Sequence, residues 1–414
     1  MSDLYFYKKP LVNKQTNILI VGAGPAGLAC ATKCQQLNQN FIIIESSNRV
    51  GGRLGSIYTN DYIFDLGFQV YNTSYLNTNK ILNLGDLNLK FFRPGASIYK
   101  DNSFQILSDP LRNPSQFFST MTSSFTTISD KLKILKLKYS LNKYKIKNDK
   151  TKDCSTYDFL KQYGFSTKII DNFFKPFFSG IFLENDLKTS SKFFKYVFSK
   201  FNTGIAALPE KGMQAIPDQL LSNLENDNII LNKAVIDISK SSVKLIDDQV
   251  IHFNKLVLTG ESSNLLLKSS EQYHKTDTIF FSTNTKINNG DYIHLFPDDK
   301  VINNIAFPTE IGCKYSQNND KLISISLKNH DYKKLDLISG IQAKLSSYFG
   351  GPKSHYEYLK YMSIKKATLK QPPGYFQKNR TLRNGNIFLA GEKYQNGSIE
   401  GAVTSGQKIL DLIV

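Results

Sequence analysis

The chain has 414 residues, 41% of them hydrophobic and 21% charged, enough for a globular protein with more than one core. No stretch reaches the roughly 18 uninterrupted apolar residues of a membrane-spanning helix, and four cysteines without CxxC spacing exclude a disulfide framework. Lys and Arg (52) outnumber Asp and Glu (35) for a net charge of +17, but no nucleic-acid-binding motif accompanies it, so no nucleic acid partner is expected.

Residues 1–15 lack an apolar core followed by a small-residue cleavage site, so no export signal is expected. With so few cysteines, the expected setting is a reducing one, the cytoplasm. The apolar run Ile18, Leu19, Ile20, Val21 then leads into Gly22-Ala23-Gly24-Pro25-Ala26-Gly27 and a helical stretch over 28–37. This is the strand, turn and helix of a dinucleotide site. Gly22 permits the turn, Gly24 lets backbone approach a pyrophosphate, and Gly27 allows close helix packing. A second apolar run, 41–44, ends in Glu45, near the offset at which an acid meets a ribose hydroxyl, with Ser46 beside it.

Past Glu45 come Arg49, Gly51, Gly52, Arg53 and Ser56, then Asp65-Leu66-Gly67-Phe68-Gln69. Near the C-terminus, residues 386–390 are an apolar strand ending in Gly391-Glu392, and Gly397-Ser398-Ile399-Glu400-Gly401-Ala402 opens a last helix. In between, Leu208-Pro209-Glu210-Lys211-Gly212-Met213 forms a turn. Together these segments resemble the superfamily of flavin-containing amine oxidases, protoporphyrinogen oxidases and carotenoid desaturases.

The resemblance implies non-covalent FAD, because no cysteine follows Cys313. It places Arg53 at the pyrophosphate or flavin edge, Leu66, Gly67, Phe68 and Gln69 against the isoalloxazine, and Val235 at the adenine. It also sets Glu392 near the ribityl or pyrophosphate, with Ser398, Ile399 and Ala402 at the flavin pyrimidine. The implied fold is α/β: a Rossmann-like FAD-binding domain from residues 14–90, 205–268 and 370–414, with an inserted α+β substrate domain from 91–204, largely helical, and 269–369.

The implied activity is two-electron oxidation of a hydrophobic substrate, desaturase-like or protoporphyrinogen-oxidase-like, with oxygen, a quinone or another carrier as electron acceptor. The alternatives are an amine oxidase acting on a C–N bond and a non-catalytic flavoprotein scaffold. The phenylalanines of 173–182 read either as an apolar tunnel or as core. Asn303 reads as a pocket amide or a loop residue, and Tyr394 and Asn396 as neighbours of the flavin face. Lys300 and Lys393 sit in no motif that assigns them. The five scattered histidines predict no metal. The basic run 131–152 reads as a solvated helix or as a peripheral contact with an anionic membrane.

Overall fold

A computed structural model describes residues 15–108, 126–225, 228–267, 271–328, 332–378, 380 and 382–413. Strand β1 (Gln15–Val21), helix α1 (Pro25–Gln36) and strand β2 (Phe41–Ile44) open an eight-stranded sheet. β1 lies parallel between β2 and Val250–Thr259, and the latter pairs in parallel with Ile387–Ala390. Apolar side chains cover both faces: Ile18, Ile20 and Ile43 enter one core, while Leu19, Val21, Ile42 and Ile44 enter another. Continuous apolar runs therefore serve as strands here because both sides are buried.

Val250–Thr259 also carries an antiparallel meander, since its first residues pair with Ser242–Leu245, which pairs with Val235–Ile238. The last helix, Ile399–Ile409, packs so tightly on α1 that a Cβ on Gly406 would lie 2.0 Å from the Ala26 carbonyl oxygen.

A second, seven-stranded sheet runs in the order Tyr356–Leu369, Tyr273–Thr283, Lys321–Leu327, Ile302–Ala306, Ile293–Leu295, Gly95–Lys100 and Ser103–Ser108. Residues 95–108 are thus a hairpin of this sheet, whereas the sequence read 91–204 as largely helical. Helix Lys334–Phe349 seals one face through Leu337, Ile341 and Leu345. Cross-strand register places Thr278, Ser326 and Asn304 in one row on the other face, with Phe280, Ser324 and Ala306 in the next.

Helices Ile128–Ser140, Thr156–Gln162, Lys175–Phe182 and Ser191–Thr203 form a separate block. Its core is phenylalanine: Phe174, Phe178, Phe182, Phe193 and Phe194 are buried against one another. The apolar run at 173–182 is therefore core packing, and only Phe173 and Phe177 also reach the main core. No helix among the described residues is long and apolar enough to cross a membrane.

Candidate cofactor and substrate site

Gly22 turns the chain from β1 toward α1 with φ of +101°, and a Cβ there would lie 2.5 Å from Thr259 Oγ1. Only glycine fits that conformation and space. A Cβ on Gly27 would come within 1.9 Å of the Gly22 carbonyl oxygen. Gly24 is different: it caps α1 without any side-chain hydrogen bond, and nothing lies within 4 Å of where its Cβ would be. The backbone N–H groups of Ala26 and Gly27, behind Pro25, stand at this open helix end. Such an end, with its dipole, is a site for a phosphate anion.

Gly52 arrives at the same place, its hypothetical Cβ 3.6 Å from Gly24 Cα, while Gly51 N–H donates to the Ala23 carbonyl at 2.8 Å. Glu45 is buried at the end of β2. Its Oε2 accepts from Ala23 N–H (2.7 Å), and its Oε1 from the Ser46 hydroxyl and from the Ser47 N–H and hydroxyl. With one protein donor on Oε2, the carboxylate keeps acceptor capacity for a sugar hydroxyl. Lys233 N–H donates to the Glu45 carbonyl at 2.9 Å, and Val235 shares a buried apolar cluster with Ile44 and Leu258.

Arg53 and Glu392, from opposite ends of the chain, form an ion pair at 2.7 Å, and the guanidinium lies 5.1 Å from the centre of the Tyr273 ring. The Arg53 charge is thus already offset by protein. Gln69 donates from Nε2 to the carbonyls of Arg53 (2.8 Å) and Leu66 (2.9 Å), and its Oε1 is buried with no protein partner. Phe68 packs edge-on against Phe92. Gly67, at φ +80°, faces the second sheet: its Cβ would stand 3.2 Å from Thr276 Cγ2 and 3.8 Å from Thr278 Oγ1.

At the C-terminal motif, Gly391 N–H donates to Ser405 Oγ at 3.0 Å. Ser398 Oγ accepts from Gly401 N–H (2.9 Å) and donates to Asn396 Oδ1 (2.6 Å), capping the last helix. Ile399 begins that helix, and Ala402 N–H donates to the Ser398 carbonyl. Asn396 is therefore engaged in the cap. The Tyr394 hydroxyl is buried near Ser263, and burial pushes its pKa up to about 12. Lys393 is buried beside that ring, where burial lowers the ammonium pKa, and Lys300 is exposed.

Asn303 stands apart from this group. It is a buried strand residue, not a loop amide, on the face of the second sheet that Thr276 shares. Two residues that sequence reasoning missed also border the site. Gln371 Oε1 accepts Gly397 N–H at 2.9 Å and holds the loop before the last helix, and Tyr196, from the helical block, is buried with its hydroxyl toward Ser398 and Asn396. Neither lies in a motif.

The bare helix end, the vacant volume at Gly24 and the unpartnered Gln69 oxygen fit a dinucleotide cofactor. Fold and site together define a two-motif dinucleotide-binding flavoprotein. The model of the flavin containing amine oxidoreductases matches residues 25–409, and the chain belongs to that family, a family of FAD-dependent oxidoreductases. Over 262 residues it is 24% identical to protoporphyrinogen oxidase 2, chloroplastic/mitochondrial, of Arabidopsis thaliana, covering 54% of this chain. The chain spans about half the length of that relative (51%).

Among solved structures, putrescine oxidase bound to putrescine aligns with a TM-score of 0.72 at 17% identity, over 97% of this chain and 99% of that one. A putative protoporphyrinogen oxidase from Exiguobacterium sp. 255-15 aligns with a TM-score of 0.71 at 16% identity, over 98% and 99%. These likenesses establish the fold.

Proposed function

We propose that this protein binds FAD between Gly22, Gly24, Glu45, Gly52 and the last-helix cap, and oxidises a largely apolar organic donor held against Gly67. Bound FAD would supply the two-electron acceptor chemistry. The protein's part is to position the donor carbon, exclude water and leave the dinucleotide cradle free of side chains. The observation that supports the apolar donor is the mostly apolar wall beside Gly67, where Phe68, Leu208, Phe280, Pro308, Tyr315 and Leu322 surround a small void with Asp65 and Ser324 among them. The likeness to a protoporphyrinogen oxidase points the same way.

The second reading is oxidation of an amine at its C–N bond, favoured by the buried polar row Thr278, Ser326 and Asn304 on the sheet face near Gly67. Anaerobic visible spectra separate the two. Bleaching of the flavin bands by a porphyrinogen or polyprenoid in detergent supports the first, and bleaching by putrescine alone replaces it with the second. Absence of flavin bands after incubation with FAD rejects both.

An apolar donor also suits delivery from lipid. Helix Ile128–Ser140 exposes Ile128, Leu132, Leu135 and Tyr139 at spacings of 4, 3 and 4 residues, one continuous apolar stripe. Exposed Lys136, Lys143, Lys145, Lys147 and Lys150 surround or follow it. This apolar stripe with a basic surround matches an anionic bilayer surface.

A further inference from the structure

A cavity lies between helix Lys175–Phe182 and the face of the second sheet, lined by Ser179, Gly180, Thr276, Asn303 and Ser326, with Glu184, Lys275 and Lys328 at its edge. Thr276 joins it to the wall at Gly67, because the same side chain stands against that residue. The lining is largely polar, with Leu183 and Leu327 its apolar members. Ser179 and Asn303 are each more than nine-tenths buried, and both Ser179 Oγ and Asn303 Oδ1 lack a protein hydrogen-bond partner. An unmet buried hydroxyl or amide destabilises a fold, so two converging on one cavity point to a ligand that completes them.

The neighbouring Asn304 sharpens the chemistry. Asn303 Nδ2 donates to Asn304 Oδ1 at 3.0 Å, which leaves Asn303 Oδ1 and Asn304 Nδ2 unpartnered. If both amides were turned over, the roles would exchange, but one donor and one acceptor would still be left. Both side chains crowd Gly180, whose hypothetical Cβ would lie 2.7 Å from Asn303 Nδ2 and 3.1 Å from Asn304 Oδ1. A side chain at Gly180 would have to displace the amide pair.

The two lysines at the edge are already engaged. Lys275 pairs with Asp277 at 3.5 Å, and Lys328 donates to the carbonyl oxygens of Phe296 and Asp299. Glu184 accepts from Thr189 N–H at 2.7 Å and lies 3.9 Å from His274. Groups left without partners in the lining are therefore neutral, and a neutral ligand group with both donor and acceptor answers them.

We propose that Asn303 and Ser179, with Asn304 behind them, anchor an uncharged amide-like or hydroxyl-bearing group of the substrate, so that the adjoining carbon lies toward Gly67. The anchor deepens the function proposed above and rests on it for the direction of the substrate. It makes the donor amphiphilic, with an apolar body and one neutral polar group. Asn303 and Ser179 are then specificity-determining residues.

The test uses the 414-residue chain incubated with FAD and ligand-observed saturation-transfer NMR with benzamide, benzyl alcohol, benzoate and toluene. Flavin content is measured separately by absorbance, and folding of each variant by circular dichroism. Benzamide and benzyl alcohol should bind about tenfold more tightly than toluene or benzoate, the effect of one or two well-made hydrogen bonds. Asn303→Ala and Ser179→Ala, prepared separately so that one misfolded variant does not end the test, should each reduce that preference about fivefold or more. Equal binding across the series, preference for benzoate, or a preference unchanged in both folded variants overturns the anchor. A flavin-free protein that keeps the amide preference would reject the cofactor reading and leave the anchor standing; a flavin-loaded protein without the preference would do the reverse.

Discussion

The backbone N–H of Met213 donates to Asp65 Oδ1 across 2.9 Å, which fastens the Leu208–Met213 turn to the segment that presents Gly67. Ser56 donates to the same oxygen at 2.6 Å and Tyr315 to Oδ2 at 2.8 Å, so one carboxylate joins strand Ser56–Tyr58, the Leu208–Met213 turn and the loop that leads into strand Lys321–Leu327. Burial nevertheless outweighs these three donors and raises the Asp65 pKa from 3.8 to about 6.

A raised acid favours the folded state most when protonated. Its contribution is fully present below pH 3.8 and is lost as pH rises through about 6. Asp65→Asn keeps an oxygen for Ser56 and Met213 and offers an amide donor to the Tyr315 hydroxyl. We predict that the substitution costs about 1 kcal/mol or more at pH 4.5 and less at pH 7, where the parent carboxylate is ionised, with a flatter dependence of stability on pH between 4 and 7 than in the parent. Urea unfolding at pH 4.5, 5.5 and 7 measures both; an equal pH slope in the two proteins would exclude Asp65 as the titrating group.

His294 carries the opposite sign. It is fully buried among Phe104, Phe307 and Phe349, with Nε2 at 3.1 Å from the Asn289 carbonyl and Nδ1 unpartnered. Burial pushes its pKa from 6.5 down to about 3. A depressed histidine stabilises the fold above its unfolded value and loses that contribution as pH falls from 6.5 toward 3. His294→Leu should cost about 1 kcal/mol at pH 7 but lose less than the parent on acidification from pH 6.5 to 4. Thermal melts across that range decide it; parallel acid losses would assign the lability elsewhere.

The turn from β1 into α1 was legible in the sequence because its backbone dictates residue type: Gly22 must take φ of +101° and Gly27 must lie against a carbonyl. The hairpin at 95–108 carried a signal too. Asp101 and Asn102 both have positive φ, which a two-residue primed hairpin turn requires, and Asp-Asn there marks a turn rather than a helix. The Arg53–Glu392 ion pair and the Gln371 brace were not legible, since they join residues from distant segments that meet only after both sheets form. Nor was Ser179, which looks like an ordinary polar residue until a helix and a strand bury it in one cavity with Asn303, the residue that the sequence read as a pocket amide or a loop residue.

The exposed stripe on helix Ile128–Ser140 yields a prediction about lipid. Leu132→Glu with Leu135→Glu replaces two exposed apolar side chains, 62% and 43% accessible, so the fold should be disturbed by no more than about 0.5 kcal/mol. Co-sedimentation with vesicles containing phosphatidylserine should fall about tenfold in this variant, and parent binding should weaken as salt is raised. Parent protein that ignores anionic vesicles at low salt would show that the stripe faces something other than a membrane.

Gly24 and Gly27 separate the cofactor's space from the fold's. At Gly24, φ is −71° and ψ 179°, open to any residue, and an added Cβ meets no protein atom within 4 Å. Gly24→Ala should therefore leave thermal stability without added FAD within about 0.5 kcal/mol of the parent, because the extra methyl occupies only the volume assigned to the pyrophosphate. Its FAD retention should fall about tenfold or more, read by flavin absorbance after gel filtration. Gly27→Ala instead drives a methyl to 1.9 Å from the Gly22 carbonyl oxygen, so α1 must back away from β1. That variant should lose about 2 kcal/mol or more of stability even with FAD absent. If Gly24→Ala keeps full FAD affinity, the pyrophosphate does not sit at this helix end, whatever happens at Gly27.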